Sequence, residues 1–241
     1  AFLYGEVEEE IYISVPEGLE EEFPPNSALR LLKSLYGLKQ APLIFHEKLH
    51  RFFIDKGFKQ CTTDICLYYH FSDSHMHIVL IYVDDIILAS SDAPFVETFR
   101  LLLSSTFTIK YLGIVSHYLG VNVSYPDAGV ITLSQTSYIT QFTERLRIPI
   151  VPTTLPIANN ARIHLWPTDD ALPDTPYRQL CGVCMYAQCV TRFDISYAIG
   201  KLAKYCTSFG KQHYRALIRL AQYLYTTCLL YTSPSPRDGL L

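Results

Sequence analysis

Two adjacent aspartates, Asp84 and Asp85, are the residues of this sequence with the clearest capacity for chemistry. They stand between two apolar, β-branched runs, residues 76–82 and 86–89, which predict a β-hairpin with both acids at its tip. Like charges this close repel each other, and a divalent cation would offset the repulsion. Carboxylate oxygens suit Mg²⁺ or Mn²⁺, and phosphoryl transfer commonly uses two such ions. The alternative is a solvent-facing turn in which Asp is only a good turn residue.

A second pattern, His46-Glu-Lys-Leu-His50, is a HExxH motif on a predicted helix. In zinc peptidases with this motif, the two His side chains bind the metal from one helix face and the Glu serves as general base. Phe53 and Lys56 occupy the Gly and His positions of the extended motif, and the next glutamate along the chain is Glu97. A zinc metallopeptidase is therefore an alternative function that the sequence supports less well.

The seven cysteines and the other histidines show no spacing typical of metal ligands. Cys181 and Cys184 form a single CxxC without the second pair that a structural zinc site needs. We expect these thiols on the buried face of a helix, and the odd cysteine count predicts reduced thiols in an intracellular protein. His75 and His77 alternate on a predicted strand and are expected at its surface or edge.

The net charge of −3 conceals an uneven distribution along the chain. The first 22 residues contain eight acids and no base, residues 28–59 contain seven Lys/Arg against two acids, and residues 177–225 contain seven against one. Two basic blocks could bind a phosphate backbone, although they could also be two solvated helix faces. No apolar run approaches the roughly 18 residues of a membrane helix, so no membrane partner is expected.

Periodicity divides the chain into mixed strands and helices followed by a mostly helical end, which predicts an α+β fold. A helix is expected to follow residues 34–42 and to stop at Gly57, and Asp92 is expected to cap a second helix that ends near Ser104. The further predicted elements are strands near residues 118–124 and 130–134, a helix over 136–146, a Pro-rich linker over 148–176 and three helices within 177–228.

Several stretches together resemble copia-type reverse transcriptases, which are encoded by long-terminal-repeat retrotransposons. Tyr82-Val-Asp-Asp85 resembles the YxDD signature of reverse transcriptases, and Ser34-Leu-Tyr-Gly-Leu-Lys-Gln-Ala-Pro42 is specific to the copia-type branch. The other matching stretches are residues 1–5, 107–113, 118–120, 133–135, 138–139 and 191–197. The resemblance spans about residues 1–227 and implies an RNA-directed DNA polymerase, in which a primer 3′-hydroxyl attacks the α-phosphate of a dNTP.

The resemblance also implies roles for individual residues. Asp84 resembles the ligand that bridges two Mg²⁺ (or Mn²⁺) ions, and Asp85 resembles its less essential neighbour. Phe2 matches the aromatic residue that lies beneath the incoming sugar and excludes a 2′-hydroxyl. The positions that match contacts to nucleotide, template or primer end are Gly37, Gln40, Tyr82 and Val83.

The sequence departs from the family pattern at three places. Copia-type enzymes carry a catalytic Asp a few residues before Ala-Phe-Leu, and fingers residues that clamp the triphosphate further upstream, whereas this sequence begins at Ala1. Leu43 stands where the family usually has Arg, and Phe193 stands where it usually has Pro. Because two carboxylates without their third partner should bind a metal pair poorly, we expect the chain alone to have no polymerase activity.

By this resemblance the fold is a right-hand polymerase: partial fingers and palm over residues 1–147, the linker over 148–176, and a helical thumb or connection region over 177–228. Residues 229–241 match nothing expected of the family and are predicted to be disordered. The implied partners are an RNA/DNA template-primer, dNTP, and the remaining Pol polyprotein with its integrase and RNase H. The implied location is intracellular, in a cytoplasmic virus-like particle or the nucleus. A non-functional retroelement relic is the remaining alternative.

Overall fold

The computed structural model describes residues 2–72, 74–158 and 175–228. The chain divides into two compact units, Ala1–Leu112 and Gly113–Leu241. Most of the predicted Pro-rich linker and the whole of the predicted disordered segment, 229–241, lie outside the described residues.

The described residues of the first unit, 2–72 and 74–112, contain six strands and two α-helices. A short antiparallel pair, β1 and β2, precedes helix α1, and a four-stranded antiparallel sheet in the order β3-β4-β5-β6 precedes helix α2. These elements are β1 (Tyr12–Ser14), β2 (Ala28–Arg30), α1 (Ala41–Asp55), β3 (Lys59–Gln60), β4 (Leu67–Ser72), β5 (His75–Tyr82), β6 (Asp85–Ser90) and α2 (Ala93–Thr106). Short 3-10 helices lie at Phe2–Tyr4 and Glu20–Glu22.

The core of the first unit is aromatic. Phe53 of α1 is fully buried and its ring packs against Phe58, Tyr68 of β4 and Phe99 of α2. Burying a side chain of this size contributes roughly 1.5–3 kcal/mol. This packing holds both helices on one face of the sheet, so the β5–β6 hairpin is anchored to a rigid base.

The predicted ends of the two helices agree with the structure in part. Pro42 lies in the first turn of α1. The helix ends at Asp55, and Gly57, with φ +82°, turns the chain away directly after it, as predicted. Asp92 precedes α2, but the prediction that its side chain caps this helix was wrong, because it makes no capping hydrogen bond. The Asp92 backbone N–H instead donates to Ser90 Oγ at 2.9 Å.

His77 is fully buried, so its predicted surface position was wrong. Its two ring nitrogens lie 2.7 Å from Ser72 Oγ and 2.8 Å from Ser90 Oγ, and its ring stacks 3.6 Å from the ring centre of Phe95. Two hydroxyl partners satisfy the imidazole inside the unit, and periodicity in the sequence does not reveal such partners.

The second unit begins with a small three-stranded antiparallel sheet and continues as helices. Its elements are β7 (His117–Tyr118), β8 (Val121–Ser124), β9 (Thr132–Ser134), α3 (Thr136–Arg145), α4 (Tyr177–Val190), α5 (Ser196–Leu202) and α6 (Lys211–Thr227). Further 3-10 helices lie at Phe193–Ile195 and Ala203–Tyr205. The single strand predicted over 118–124 is two strands, because Leu119 and Gly120 adopt positive φ and turn the chain back.

The core of the second unit is helical. Ile139 and Phe142 of α3 belong to the same buried cluster as residues of α4, α5 and α6, among them Leu180, Ile199 and Leu220. Cys181 and Cys184 lie in this cluster, which confirms their prediction as a buried helix face. Residues 113–147 belong to the same compact unit as these helices.

The combination of antiparallel sheets with helices confirms the α+β class, although the sheets of the described residues are antiparallel throughout. The assignment of palm, linker and thumb to particular ranges stays a prediction. Among the described residues, no helix is both long enough and apolar enough to cross a bilayer.

Candidate functional site

The hairpin predicted around the paired acids is present. Strands β5 and β6 pair from His77 with Ser90 to Tyr82 with Asp85, which leaves Val83 and Asp84 as a two-residue loop. Val83 has φ +52°, a conformation that is unfavourable for a β-branched residue and costs on the order of 1–3 kcal/mol. The paired strands on both sides hold this loop, so the backbone that carries Asp84 has a fixed position.

The tip of the hairpin is open to solvent. Tyr82, Val83, Asp84 and Asp85 are all exposed, whereas Ile81 directly before them is buried in the core. The sequence therefore places two carboxylates at the point where a buried strand pair reaches the surface.

Tyr36 connects the hairpin tip to two other stretches of the sequence. Its hydroxyl donates a hydrogen bond to Asp84 Oδ2 at 3.1 Å, and its ring centre lies 4.7 Å from that of Phe2. The hydrogen bond and the negative charge of Asp84 raise the pKa of Tyr36. Residues 48 positions apart, Tyr36 and Asp84, are thus brought together beside the aromatic ring of Phe2.

The segment that carries Phe2 is fixed by several contacts within the first unit. Ser34 is fully buried: its hydroxyl donates to the Phe2 carbonyl, and its N–H donates to the Gly5 carbonyl at 2.9 Å. Lys48 Nζ donates to the Tyr4 carbonyl at 2.8 Å. A Cβ at Gly5 would lie 2.7 Å from Ile44 Cγ2, so only glycine fits this approach to α1.

The two remaining predicted contact residues lie on the segment that leads into α1. Gly37 is exposed and has φ +102°, a turn conformation that glycine adopts without strain. Gln40 directly precedes α1 and lines a cleft of about 480 Å³. The residues that share this cleft are Gly5, Glu6, Glu8, Glu9, Leu43, Ile44, Glu47, Lys48 and Arg51.

The residue missed by sequence reasoning is Tyr36. It stands between Leu35 and Gly37 in the copia-type stretch, but the pattern gives no sign that its hydroxyl reaches Asp84.

The donor set at the hairpin tip has the chemistry that Mg²⁺ prefers. Asp84 and Asp85 offer exposed carboxylate oxygens, and neither takes part in an ion pair among residues 2–72, 74–158 and 175–228. No cluster of three or more His, Cys, Asp or Glu side chains suited to a metal occurs in those same ranges. Mg²⁺ is usually held by one or two carboxylates, with waters and substrate phosphates completing its octahedron, so this pair fits part of such a site.

The HExxH residues lie on α1, as predicted, but their surroundings are those of a packed helix. His50 Nδ1 lies 3.0 Å from the Tyr68 hydroxyl, and Glu47 lies 4.0 Å from Arg51 across one helical turn. Within the described part of the chain, no third ligand completes a cluster with the two histidines.

The match to known proteins decides the family. A family model described as reverse transcriptase (RNA-dependent DNA polymerase) matches residues 1–158. The chain belongs to this family. Together with the transposon relatives described next, this match confirms the resemblance to copia-type reverse transcriptases. Enzymes of this family use divalent metal ions such as Mg²⁺, a template-primer and dNTP.

Curated relatives are transposon proteins. The retrovirus-related Pol polyprotein from transposon TNT 1-94 of Nicotiana tabacum is 33% identical over 98% of this chain and 19% of its own length. The corresponding protein from transposon RE1 of Arabidopsis thaliana is 31% identical over 93% of the chain and 15% of its own length. The putative transposon Ty5-1 protein of Saccharomyces cerevisiae is 30% identical over 98% of the chain and 78% of its own length. No solved structure matches.

Proposed function

We propose that this reverse transcriptase chain provides the hairpin half of a two-metal nucleotidyl-transfer site that extends a DNA primer on an RNA template. The observation that carries the proposal is the hydrogen bond from Tyr36 to Asp84 beside the ring of Phe2. It joins three stretches that the family resemblance assigns independently to one site.

Asp84 and Asp85 would hold the metal ions. When bound, Mg²⁺ or Mn²⁺ ions supply stabilisation of the attacking and leaving oxygens in an in-line displacement. The Tyr36 hydroxyl occupies one lone pair of Asp84 Oδ2 and so fixes the rotamer of that carboxylate. A fixed carboxylate loses less conformational freedom on binding a cation than a mobile one does.

The neighbouring residues would position the substrates. Phe2 offers a ring face beneath the sugar of the dNTP and would reject a 2′-hydroxyl by steric contact. Tyr82 and Val83 would line the primer end, and Gly37 and Gln40 would lie against nucleotide and template. The exposure of Tyr82, Val83 and Gly37 supports these roles, because none is needed to fill the core.

The chain spans 19% of the length of the tobacco relative and 15% of that of the Arabidopsis relative, so the protein of which it forms a part is also a proposal. We expect it to act beside integrase and RNase H in a longer Pol polyprotein. The proposed location is intracellular, in a virus-like particle or the nucleus.

Primer extension tests the proposal. A longer polypeptide that carries this chain together with the upstream Asp and the upstream fingers residues of the family should incorporate dNTP on a primed RNA in the presence of Mg²⁺. Asp84→Asn should lower the rate by about a hundredfold or more, because it removes a metal ligand. The matched control is Asp127→Asn, an exposed turn aspartate of the second unit, which should leave the rate unchanged.

The chain without an upstream Asp is expected to show no incorporation, because its hairpin offers only two carboxylates. Robust incorporation by the purified 241-residue polypeptide would refute this expectation. An Asp84→Asn variant of the longer polypeptide that retains full activity would refute the proposed site.

A further inference from the structure

Among the described residues of the second unit, Phe193 and Tyr197 are the most exposed aromatic side chains. Phe193 is 67% exposed and Tyr197 is 73% exposed, although neither is a residue type that is usually left this open. They are separated by four positions, across the 3-10 helix Phe193–Ile195 and the start of α5, and both lie on the solvent side of this segment. Ile195 and Ala198 on the opposite side are buried, which orients this face outward.

The same face carries cationic groups. Lys201 follows Tyr197 by four residues, and its Nζ lies 5.6 Å from the centre of the Tyr197 ring. Lys204, exposed in the next 3-10 helix, follows by three more. We call Phe193, Tyr197, Lys201 and Lys204 the aromatic–basic face.

The part of the chain that surrounds this face, residues 175–228, carries almost only positive charge. Residues 175–228 contain seven Lys/Arg and a single acid, Asp194. Arg192 binds that acid with two nitrogens, at 2.9 and 2.8 Å. The segment therefore has no carboxylate left to neutralise Lys201 and Lys204, and the surface is complementary to a polyanion.

Gly200 lies within α5 on this exposed side. A Cβ at Gly200 would meet no atom within 4 Å, so packing inside the protein does not require glycine there. Glycine in a helix interior is less favourable than alanine, and one reason to keep it is close approach of a ligand.

From these observations we propose that the aromatic–basic face binds an unpaired nucleic-acid strand. Bases would stack on Phe193 and Tyr197, and phosphates would contact Lys201 and Lys204. Stacking on aromatic side chains in a basic groove is the general means of binding single strands without sequence readout. A rigid duplex hides its base faces, so the exposed rings favour a single strand over a duplex. The proposal does not depend on the metal site, because it involves neither Asp84 nor Asp85.

Fluorescence anisotropy with the full chain tests the proposal. The probes are a labelled oligothymidylate of about 15 nucleotides and a blunt duplex of the same length. We expect tighter binding of the single strand, weakened about tenfold by Tyr197→Ala and by Phe193→Ala, since each removes one stacking platform. Lys204→Ala should reduce the salt dependence of binding by about 0.7 in the logarithmic slope.

Two variants separate stacking from folding. Phe193→Pro places the family's usual residue at the first position of a 3-10 helix, where proline is tolerated, and should weaken binding as Phe193→Ala does. Phe71→Ala, which removes an equally exposed phenylalanine (65%) from the first unit, should leave binding unchanged. The proposal is overturned if the wild-type chain binds duplex as tightly as single strand, binds neither, or binds equally well after Tyr197→Ala and Phe193→Pro. None of these results bears on Asp84, so primer extension remains a separate test.

Discussion

Two aspartates, one in each unit, accept a hydrogen bond from a tyrosine, but only one is neutralised. Asp194 accepts from the Tyr223 hydroxyl at 2.8 Å and from Arg192, which is itself buried. Asp84 accepts from the Tyr36 hydroxyl at 3.1 Å and takes part in no ion pair within the described ranges. A compensated carboxylate stabilises the fold, whereas an exposed, uncompensated one next to Asp85 is available to a cation from solution.

The largest effect should come from removing the arginine of the compensated pair. Arg192→Ala leaves Asp194 partly buried without its cation and should lower the free energy of unfolding by about 3–5 kcal/mol. Arg100→Ala is the matched control, because Arg100 pairs with Glu97 on the surface of α2 and should cost below about 1 kcal/mol. Denaturant unfolding measures both, and equal losses would contradict the distinction.

The compensated aspartate should also produce a pH dependence in the acid range. Burial acts to raise the pKa of Asp194, but hydrogen bonds from Arg192 and Tyr223 outweigh it and hold the pKa below its ordinary value. Because the folded pKa is lowered, this stabilisation is complete above the unfolded pKa of about 3.9 and is lost as the pH falls through the folded pKa.

Unfolding of the wild type and of Asp194→Asn at several pH values measures this effect. The stability difference between them should be constant near neutral pH and shrink below about pH 4. In an Arg192→Ala background the difference should be smaller at every pH. A difference that grows on acidification would show that burial dominates.

The two tyrosines should affect different properties. Tyr36→Phe keeps the ring contact with Phe2 but removes the hydrogen bond to Asp84, so primer extension by the longer polypeptide should fall roughly two- to tenfold. Tyr223→Phe should lower the free energy of unfolding by roughly 0.5–1.5 kcal/mol and leave the extension rate unchanged. The comparison is contradicted if Tyr223→Phe slows primer extension while Tyr36→Phe lowers only the free energy of unfolding.

The smallest effect should be a gain. Gly200→Ala adds a methyl group that meets no atom within 4 Å, so it should stabilise α5 by roughly 0.5–1 kcal/mol. Thermal unfolding measures the gain, with Gly5→Ala as the opposite case, because a Cβ there would lie 2.7 Å from Ile44. Loss of stability in Gly200→Ala would show that the position is not open.

Sequence reasoning predicted the local features and missed those that depend on distant residues. Two apolar, β-branched runs predict the hairpin around Asp84, and helical spacing predicts α1 with its end at Gly57. The contact of Tyr36 with Asp84 joins residues far apart in the chain, so no local pattern contains it. His77 was misplaced for the same reason, since its partners Ser72 and Ser90 lie on two neighbouring strands.

The packing of α3 shows a similar limit. Its amphipathic pattern predicts a helix over 136–146, but the pattern does not say which core the apolar face joins. Ile139 and Phe142 pack with α4–α6 in the second unit. The helical period of the apolar residues shows that α3 has a buried face, but the elements that pack against this face in three dimensions decide which core it joins.

The central claim is that the exposed acids of the β5–β6 hairpin bind divalent metal beside Tyr36. Cleavage of the backbone by Fe²⁺ in place of Mg²⁺, with ascorbate and peroxide, tests it most directly, because radicals formed at the bound iron cut nearby chain. In the longer polypeptide that carries the upstream Asp, we predict cuts at the hairpin tip around Val83 and near Tyr36, suppressed by excess Mg²⁺ and absent in Asp84→Asn. Cuts concentrated at residues 46–50, or cuts at the hairpin that persist in Asp84→Asn, would contradict the account.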